Sequence, residues 1–224
     1  MLLVVGCALP PNTALRDWSR AASVAVDRPA LLAPPDRRDG LAAQQAALAI
    51  YLYALGVLAQ DEQPLTFDAA AFAALPPRAA VADPAAGRAV HEIGVILAAA
   101  RAANLAPGAR ANSAAPAPLV EDNRLRQVIR TADAPVQALV GALAAGLDAG
   151  GDADRGTYAR LLAAIGEDHA MLRANATHIR AREVARGIMA AQDRMARLAR
   201  RLPPDPMVAA RVQPAGLVAA VVQP

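Results

Sequence analysis

Alanine is the feature that most restricts the fold of this chain, because it accounts for 61 of the 224 residues. Alanine is the best helix former, and its small side chain lets neighbouring helices approach closely. Valine and isoleucine, which favour strands, total only 25 residues, and aromatic residues make up 3% of the chain. We therefore predict an all-α protein, an Ala-rich antiparallel bundle of about five to seven helices.

The large apolar side chains are concentrated in stripes and in one segment, 46–59. This segment has no polar side-chain group other than the hydroxyls of Tyr51 and Tyr53. A helix that is apolar on every side belongs at the centre of a bundle. Its apolar run spans only about 21 Å, which is too short to cross a bilayer. We therefore predict a central core helix and no membrane-spanning segment.

Capping residues and prolines define a single helical domain, 12–202, between an N-terminal segment, 1–11, and a Pro- and Val-rich tail, 203–224. Residues 105–117 are mostly Pro, Gly, Ala, Ser and Asn, which predicts a flexible loop. The predicted helix starts are Asn12 or Thr13, Asp36, Thr66, Asp83 and Pro118.

Prolines also predict two interruptions. Pro76 and Pro77 are expected to end the short helix that follows Thr66. Pro135, two residues after Asp133, is expected to start a new helix, so that the preceding one ends near residue 132.

The last helical stretch, about 154–202, carries two apolar stripes that are displaced around the helix axis by about 95°. One straight helix would not bury both stripes on one side. We predict a long C-terminal helix that is kinked near Gly187, or two halves that pack on different partners.

A basic face lies on the second half of this stretch. Between residues 173 and 201 there are eight arginines and two acidic residues, although the whole chain has a net charge of only +3. Six of these arginines fall on the side opposite the apolar stripe: Arg182, Arg186, Arg194, Arg197, Arg200 and Arg201. Such a face can bind lipid headgroups, lipopolysaccharide or nucleic acid, or it can simply be solvated. The absence of interleaved aromatic residues makes nucleic acid the least favoured partner.

No catalytic or metal-binding motif occurs in the chain. The single cysteine excludes an intrachain disulfide, and His169 and His178 are half a turn out of phase on a helix. We expect the three histidines to be solvated or to cap helices, and Ser19 and Ser23 to be exposed. The sequence predicts no metal, no cofactor and no enzymatic activity.

The first residues resemble the lipobox of bacterial lipoproteins, on the strength of Val4, Val5, Gly6 and Cys7. The resemblance implies export, cleavage before Cys7 and lipidation of that cysteine. Ala8 after the cysteine implies retention at the outer membrane. Six residues, none of them basic, precede Cys7, so we expect the signal segment to begin upstream of Met1.

Two functional hypotheses follow. The first is a non-enzymatic envelope lipoprotein, anchored through Cys7 on the periplasmic side of the outer membrane, that acts as a structural or interaction module for a protein partner. The second is a helical binding module that uses its basic C-terminal helix to hold an anionic partner. A cytoplasmic protein with a free cysteine and an enzyme with an unrecognised site remain as alternatives.

Overall fold

The computed structural model describes residues 12–32, 35–59, 65, 67–103, 117–147 and 151–205. Within these residues there is no strand, and the predicted all-α bundle is confirmed. The α-helices are α1 Thr13–Val26, α2 Arg38–Leu58, α3 Ala69–Ala73, α4 Leu75–Ala82, α5 Pro84–Ala103, α6 Ala117–Gly146, α7 Ala153–Ala174 and α8 Arg182–Ala199. Short 3-10 turns occupy Pro29–Leu31, Pro35–Arg37 and Ala176–His178. Segment 1–11 with Cys7, most of the predicted 105–117 loop and residues 206–224 of the tail lie outside the described residues.

α2 is the central helix, as its apolar sequence predicts. It packs against α1, α4, α5 and α6, and Leu48, Tyr51, Leu52 and Leu55 are fully buried. With the preceding turn, the segment Pro35–Leu58 is long and apolar enough to cross a membrane, contrary to the expectation from its shorter apolar run. However, 67% of that window is buried within the protein, which is what a core helix of a bundle requires.

α1 and α2 run antiparallel, as side-chain contacts show. The Ser23 hydroxyl of α1 donates to the Ala49 carbonyl of α2 at 2.8 Å, whereas the other end of α2, at Gly56, lies against Ser19. Ser19 is fully buried, so the expectation that it is exposed was wrong. Its position against a glycine explains this, because the small pair lets the two helices approach closely.

Close packing between α2 and α4 depends on Gly40. A Cβ atom at this position would lie 2.6 Å from the Ala82 Cβ and 2.8 Å from the Ala82 backbone nitrogen. On the same pair of helices, the Gln44 side chain donates to the Ala79 carbonyl at 3.2 Å. Small residues therefore set the helix separation here, as the alanine content predicts.

Several predicted boundaries are corrected. Asn12 occupies the N-cap of α1 without a side-chain capping bond, and Asp36 lies in a 3-10 turn before α2. Thr66 lies outside the described residues, and Asp68 caps α3. Asp83 caps α5 as predicted, by accepting from the Ala85 N–H at 2.7 Å.

Two proline predictions were wrong. Pro76 and Pro77 lie in the first turn of α4, where a helix has no need of their missing N–H groups, so they help to start a helix rather than end one. Pro135 lies inside the continuous helix α6. The same apolar stripe is buried on both sides of it: Leu125, Ile129, Ala132, Val136, Leu139 and Leu143. Burial of this stripe outweighs the roughly 3 kcal/mol cost of a proline in a helix.

The predicted C-terminal helix is two helices rather than one kinked helix. α7 ends at Ala174, where Asn175 donates to the Met171 carbonyl at 2.9 Å, and α8 begins at Arg182. The chain reverses between them, so the two stripes reach the core from an antiparallel hairpin. Gly187 lies within α8 with open space beside it and is not a hinge.

The start of the C-terminal tail is held on the bundle. The buried carboxylate of Asp205 accepts a hydrogen bond from the Ala30 N–H at 2.9 Å, which fixes the chain after α8 against the turn that follows α1.

Substitution of Gly40 by alanine should destabilise the protein by about 1–3 kcal/mol, because the added methyl group meets backbone that cannot move aside. Gly187→Ala is the matched control. It adds the same group in open space and should stabilise α8 by up to about 1 kcal/mol through helix propensity. Urea unfolding followed by circular dichroism measures both changes; equal effects of the two substitutions would contradict close packing at Gly40.

Candidate anion-binding site

The structure places all six predicted arginines on the exposed side of α8 and of the turn after it. The opposite side of α8 is buried through Val184, Ile188, Ala191 and Met195. The helix therefore has the amphipathic arrangement that its sequence predicts.

The six arginines do not form one uniform surface. Arg194, Arg197 and Arg201 lie on the side of α8 that faces α7, where they meet Arg160 of that helix. Together they line a groove of about 360 Å³, which we call the arginine groove; its other lining residues are Ala163, Ala164, Glu167 and Leu198. Arg182, Arg186 and Arg200 do not line it. Sequence periodicity could not have found Arg160, because it lies on a different helix.

The guanidinium groups of the arginine groove differ in their partners. Arg160 donates to the Thr157 hydroxyl at 2.9 Å, and Arg194 forms an ion pair with Asp168. The guanidinium groups of Arg197 and Arg201 make no hydrogen bond or ion pair with any residue that the structure describes. The groove is lined by four guanidinium groups, and the carboxylates near them are those of Glu167 and Asp168. The groove therefore carries an excess of positive charge.

Asp168 connects the arginine groove to the core. Its side chain is 1% exposed and accepts hydrogen bonds from Arg194 on one oxygen and from the Trp18 indole N–H, at 3.0 Å, on the other. Burial raises the pKa of Asp168, against the opposing effects of Trp18 and Arg194. A buried carboxylate with two such donors holds Arg194 in a fixed position on the wall of the groove.

A second buried polar group lies next to it on α7. His169 is fully buried, so the expectation that the histidines are solvated or capping was wrong for this residue. Its Nδ1 lies 2.9 Å from an oxygen of Asp133, and its Nε2 lies 2.7 Å from the Tyr51 hydroxyl. Gln137 donates to the same Asp133 oxygen at 3.3 Å and to the Gly166 carbonyl at 2.8 Å. We call these four side chains the buried network.

The charge states in the buried network follow from these contacts. A carboxylate can only accept, so the Nδ1 atom of His169 carries the proton and Nε2 accepts from Tyr51. Burial lowers the pKa of His169, although Asp133 opposes the shift. Burial alone would raise the pKa of Asp133, but hydrogen bonds from His169 and Gln137, together with the charge of Arg173 at 3.5 Å from the other carboxylate oxygen, leave it below its ordinary value. Burial raises the pKa of Tyr51, which stays protonated.

The order hydroxyl, imidazole and carboxylate is also that of a nucleophilic triad. Here Tyr51 and His169 are both 0% exposed, so a substrate cannot reach the hydroxyl while the bundle is closed. The three groups belong to α2, α7 and α6, and their hydrogen bonds fix these helices against one another. The spacing of Leu162, Ile165, His169 and Leu172 on one face of α7 is the sequence signal that could have predicted a buried histidine.

No cluster of three potential metal ligands occurs among the described residues. A second cavity, of about 440 Å³, lies between α3, α4 and α5 and is lined mostly by apolar groups, including Phe67, Phe72 and Val95. The exposed His91 is at its edge.

No protein-family model, no curated protein and no solved structure matches the chain.

The stability of the protein should fall as the pH decreases below about 6.5, the ordinary pKa of histidine. The unfolded chain binds a proton on His169 in this range, whereas the folded protein resists protonation until a lower pH, so acid favours unfolding by up to about 1.4 kcal/mol per pH unit. Urea unfolding at a series of pH values between about 7.5 and 5 measures this dependence.

His169→Gln should reduce the dependence, and His178→Gln, at an exposed position, is the control that should retain it. A wild-type protein equally stable across this pH range would show that His169 is not held neutral by the fold.

Proposed function

We propose that this protein is a non-enzymatic helical binding module that holds an anionic partner on α8. The observation that carries the proposal is the convergence of four arginines in the arginine groove, two of which have no partner among the described residues. Arginine is suited to this role because its planar guanidinium group stays charged and donates to two oxygens at once.

The arrangement around the groove supports binding rather than mere solvation. A solvated arginine face needs no fixed side chains, yet Arg194 is held by the buried carboxylate of Asp168. Fixing a charged side chain before binding reduces the entropy lost when a ligand arrives. The remaining arginines of α8 extend the positive potential beyond the groove and would attract an anionic partner over a longer distance.

A non-catalytic role fits the buried network as well. Tyr51 and His169 are enclosed between helices and are hydrogen-bonded within the network, while Asp133 also pairs with the exposed Arg173 at 3.5 Å. Buried polar groups that are satisfied in this way specify packing.

Association of the wild-type protein with vesicles that contain phosphatidylglycerol should weaken as salt is raised from about 50 to 200 mM, because the attraction is electrostatic. Arg186→Gln combined with Arg197→Gln should weaken it by about tenfold or more at low salt, since each arginine near an anionic surface contributes about 1 kcal/mol. Vesicle co-sedimentation measures both effects.

The matched control is Arg88→Gln combined with Arg130→Gln, which removes the same charge from exposed positions on α5 and α6. The proposal fails if this control weakens association as much as the α8 variant does, or if phosphatidylcholine vesicles bind equally well.

We propose in addition that the module is lipid-anchored at the periplasmic side of the outer membrane. The support is the resemblance of Val4, Val5, Gly6 and Cys7 to a lipobox, and the Pro10-Pro11 spacer that separates this cysteine from α1. An anchor would hold the arginine groove near phosphate-bearing headgroups, and it would also keep the module beside a protein partner of the envelope.

Expression from the native gene with its upstream DNA, in a bacterium fed an alkyne-labelled fatty acid, should yield a labelled protein in the membrane fraction. Cys7→Ser should abolish the label, because the lipid is attached to that thiol. An unlabelled wild-type protein in the cytoplasmic fraction would overturn the anchor and leave anion binding intact.

A further inference from the structure

We infer that the arginine groove is a site for one phosphate ester, a phosphate group that carries a short aliphatic body such as glycerol. This inference rests on the proposed function and narrows its ligand from any anion to a chemical class. It also restricts binding to one side of α8 rather than to its whole basic face.

Four arginines line the groove, and the guanidinium groups of two of them have no partner among the described residues. Arg197 and Arg201 are exposed, and no hydrogen bond or ion pair joins their guanidinium groups to the described part of the chain. Both line the same groove as Arg160 and Arg194. Phosphate oxygens accept several hydrogen bonds at once, and paired N–H groups of arginine match their spacing. A carboxylate offers only two oxygens to four guanidinium groups.

One of the donors, Arg194, is supported by a buried side chain. Arg194 reaches Asp168, whose other oxygen accepts from Trp18 of α1. Three helices therefore hold Arg194 in place, whereas Arg182 and Arg186, on the same helix, have no comparable support among the described residues. Sites that recognise a ligand differ from a general basic surface in this kind of support.

The size and lining of the groove fit a small phosphate ester. Its volume of about 360 Å³ is at the lower end for a small-molecule site, which suits a single phosphate ester. Ala163, Ala164 and Leu198 give it apolar surface beside the arginines, where aliphatic carbons can pack. Glu167, the exposed carboxylate of the lining, repels the phosphate but can accept a hydrogen bond from a hydroxyl of a glycerol body.

The test compares two variants of α8 that lose the same charge. Arg197→Gln with Arg201→Gln removes two unpartnered arginines from the groove, whereas Arg182→Gln with Arg186→Gln removes two from outside it. Titration calorimetry with glycerol 3-phosphate and co-sedimentation with phosphatidylglycerol vesicles probe a free ester and a lipid headgroup in turn. Circular dichroism checks that each variant keeps its helical content.

We expect the groove variant to bind at least about tenfold more weakly than the wild type, because it loses two charge-assisted contacts, and the outer variant to lose much less. Glu167→Gln should strengthen binding of inorganic phosphate, since it removes the exposed repulsive charge from the lining of the groove. This gain of affinity cannot result from a damaged fold.

The outcomes separate this inference from the proposed function. Binding of glycerol 3-phosphate that depends on the groove supports a soluble ester, and groove-dependent binding of vesicles alone supports a lipid headgroup. Equal losses in the two α8 variants, or an unchanged affinity of Glu167→Gln, would overturn the inference while α8 remained an anion-binding face. A wild-type protein that binds neither probe would overturn both.

Discussion

The structure depends on how the few polar groups of its central apolar helix are satisfied. A buried hydroxyl or amide without a partner costs about 1–3 kcal/mol, so a central α2 requires that most of its polar groups meet another helix. The exception among the described residues is the Gln44 Oε1 atom, which is buried without a hydrogen-bond partner. The Tyr51 hydroxyl reaches His169 of α7, and Gln45 reaches the Tyr158 hydroxyl of the same helix at 2.8 Å. Tyr158 in turn donates to the Val26 carbonyl at the end of α1. These bonds act at defined positions, whereas alanine packing tolerates small shifts, so they select one helix register among several.

Fold class and the central helix could be predicted from sequence because alanine content and apolar stripes are properties of the chain itself. Proline positions were misleading because their meaning depends on context: Pro76 starts a helix, and Pro135 lies within one because a buried stripe continues past it. The only sign in the sequence of the reversal between α7 and α8 is the displacement of the second apolar stripe around the helix axis. That displacement predicted either a kink or two halves that pack on different partners, and it does not distinguish a bend from a complete turn.

The site could be predicted only in part for a similar reason. Helical periodicity gave the exposed face of α8, but the division of its arginines into two groups depends on where α7 packs. Asp168 and His169 are neighbours in a polar stretch of the sequence. Their burial depends on donors and acceptors from distant segments, including Trp18 and Asp133. Such pairings are properties of the assembled bundle.

Trp18 gives the molecule an optical property. It is the single tryptophan of the chain, it is fully buried, and its indole N–H is bound to the carboxylate that holds Arg194. Indole emission is sensitive to the charge and solvation around the ring. Only the Asp168 carboxylate separates the Trp18 ring from Arg194 of the arginine groove. The tryptophan emission of the unlabelled protein should therefore change when a ligand binds in the groove.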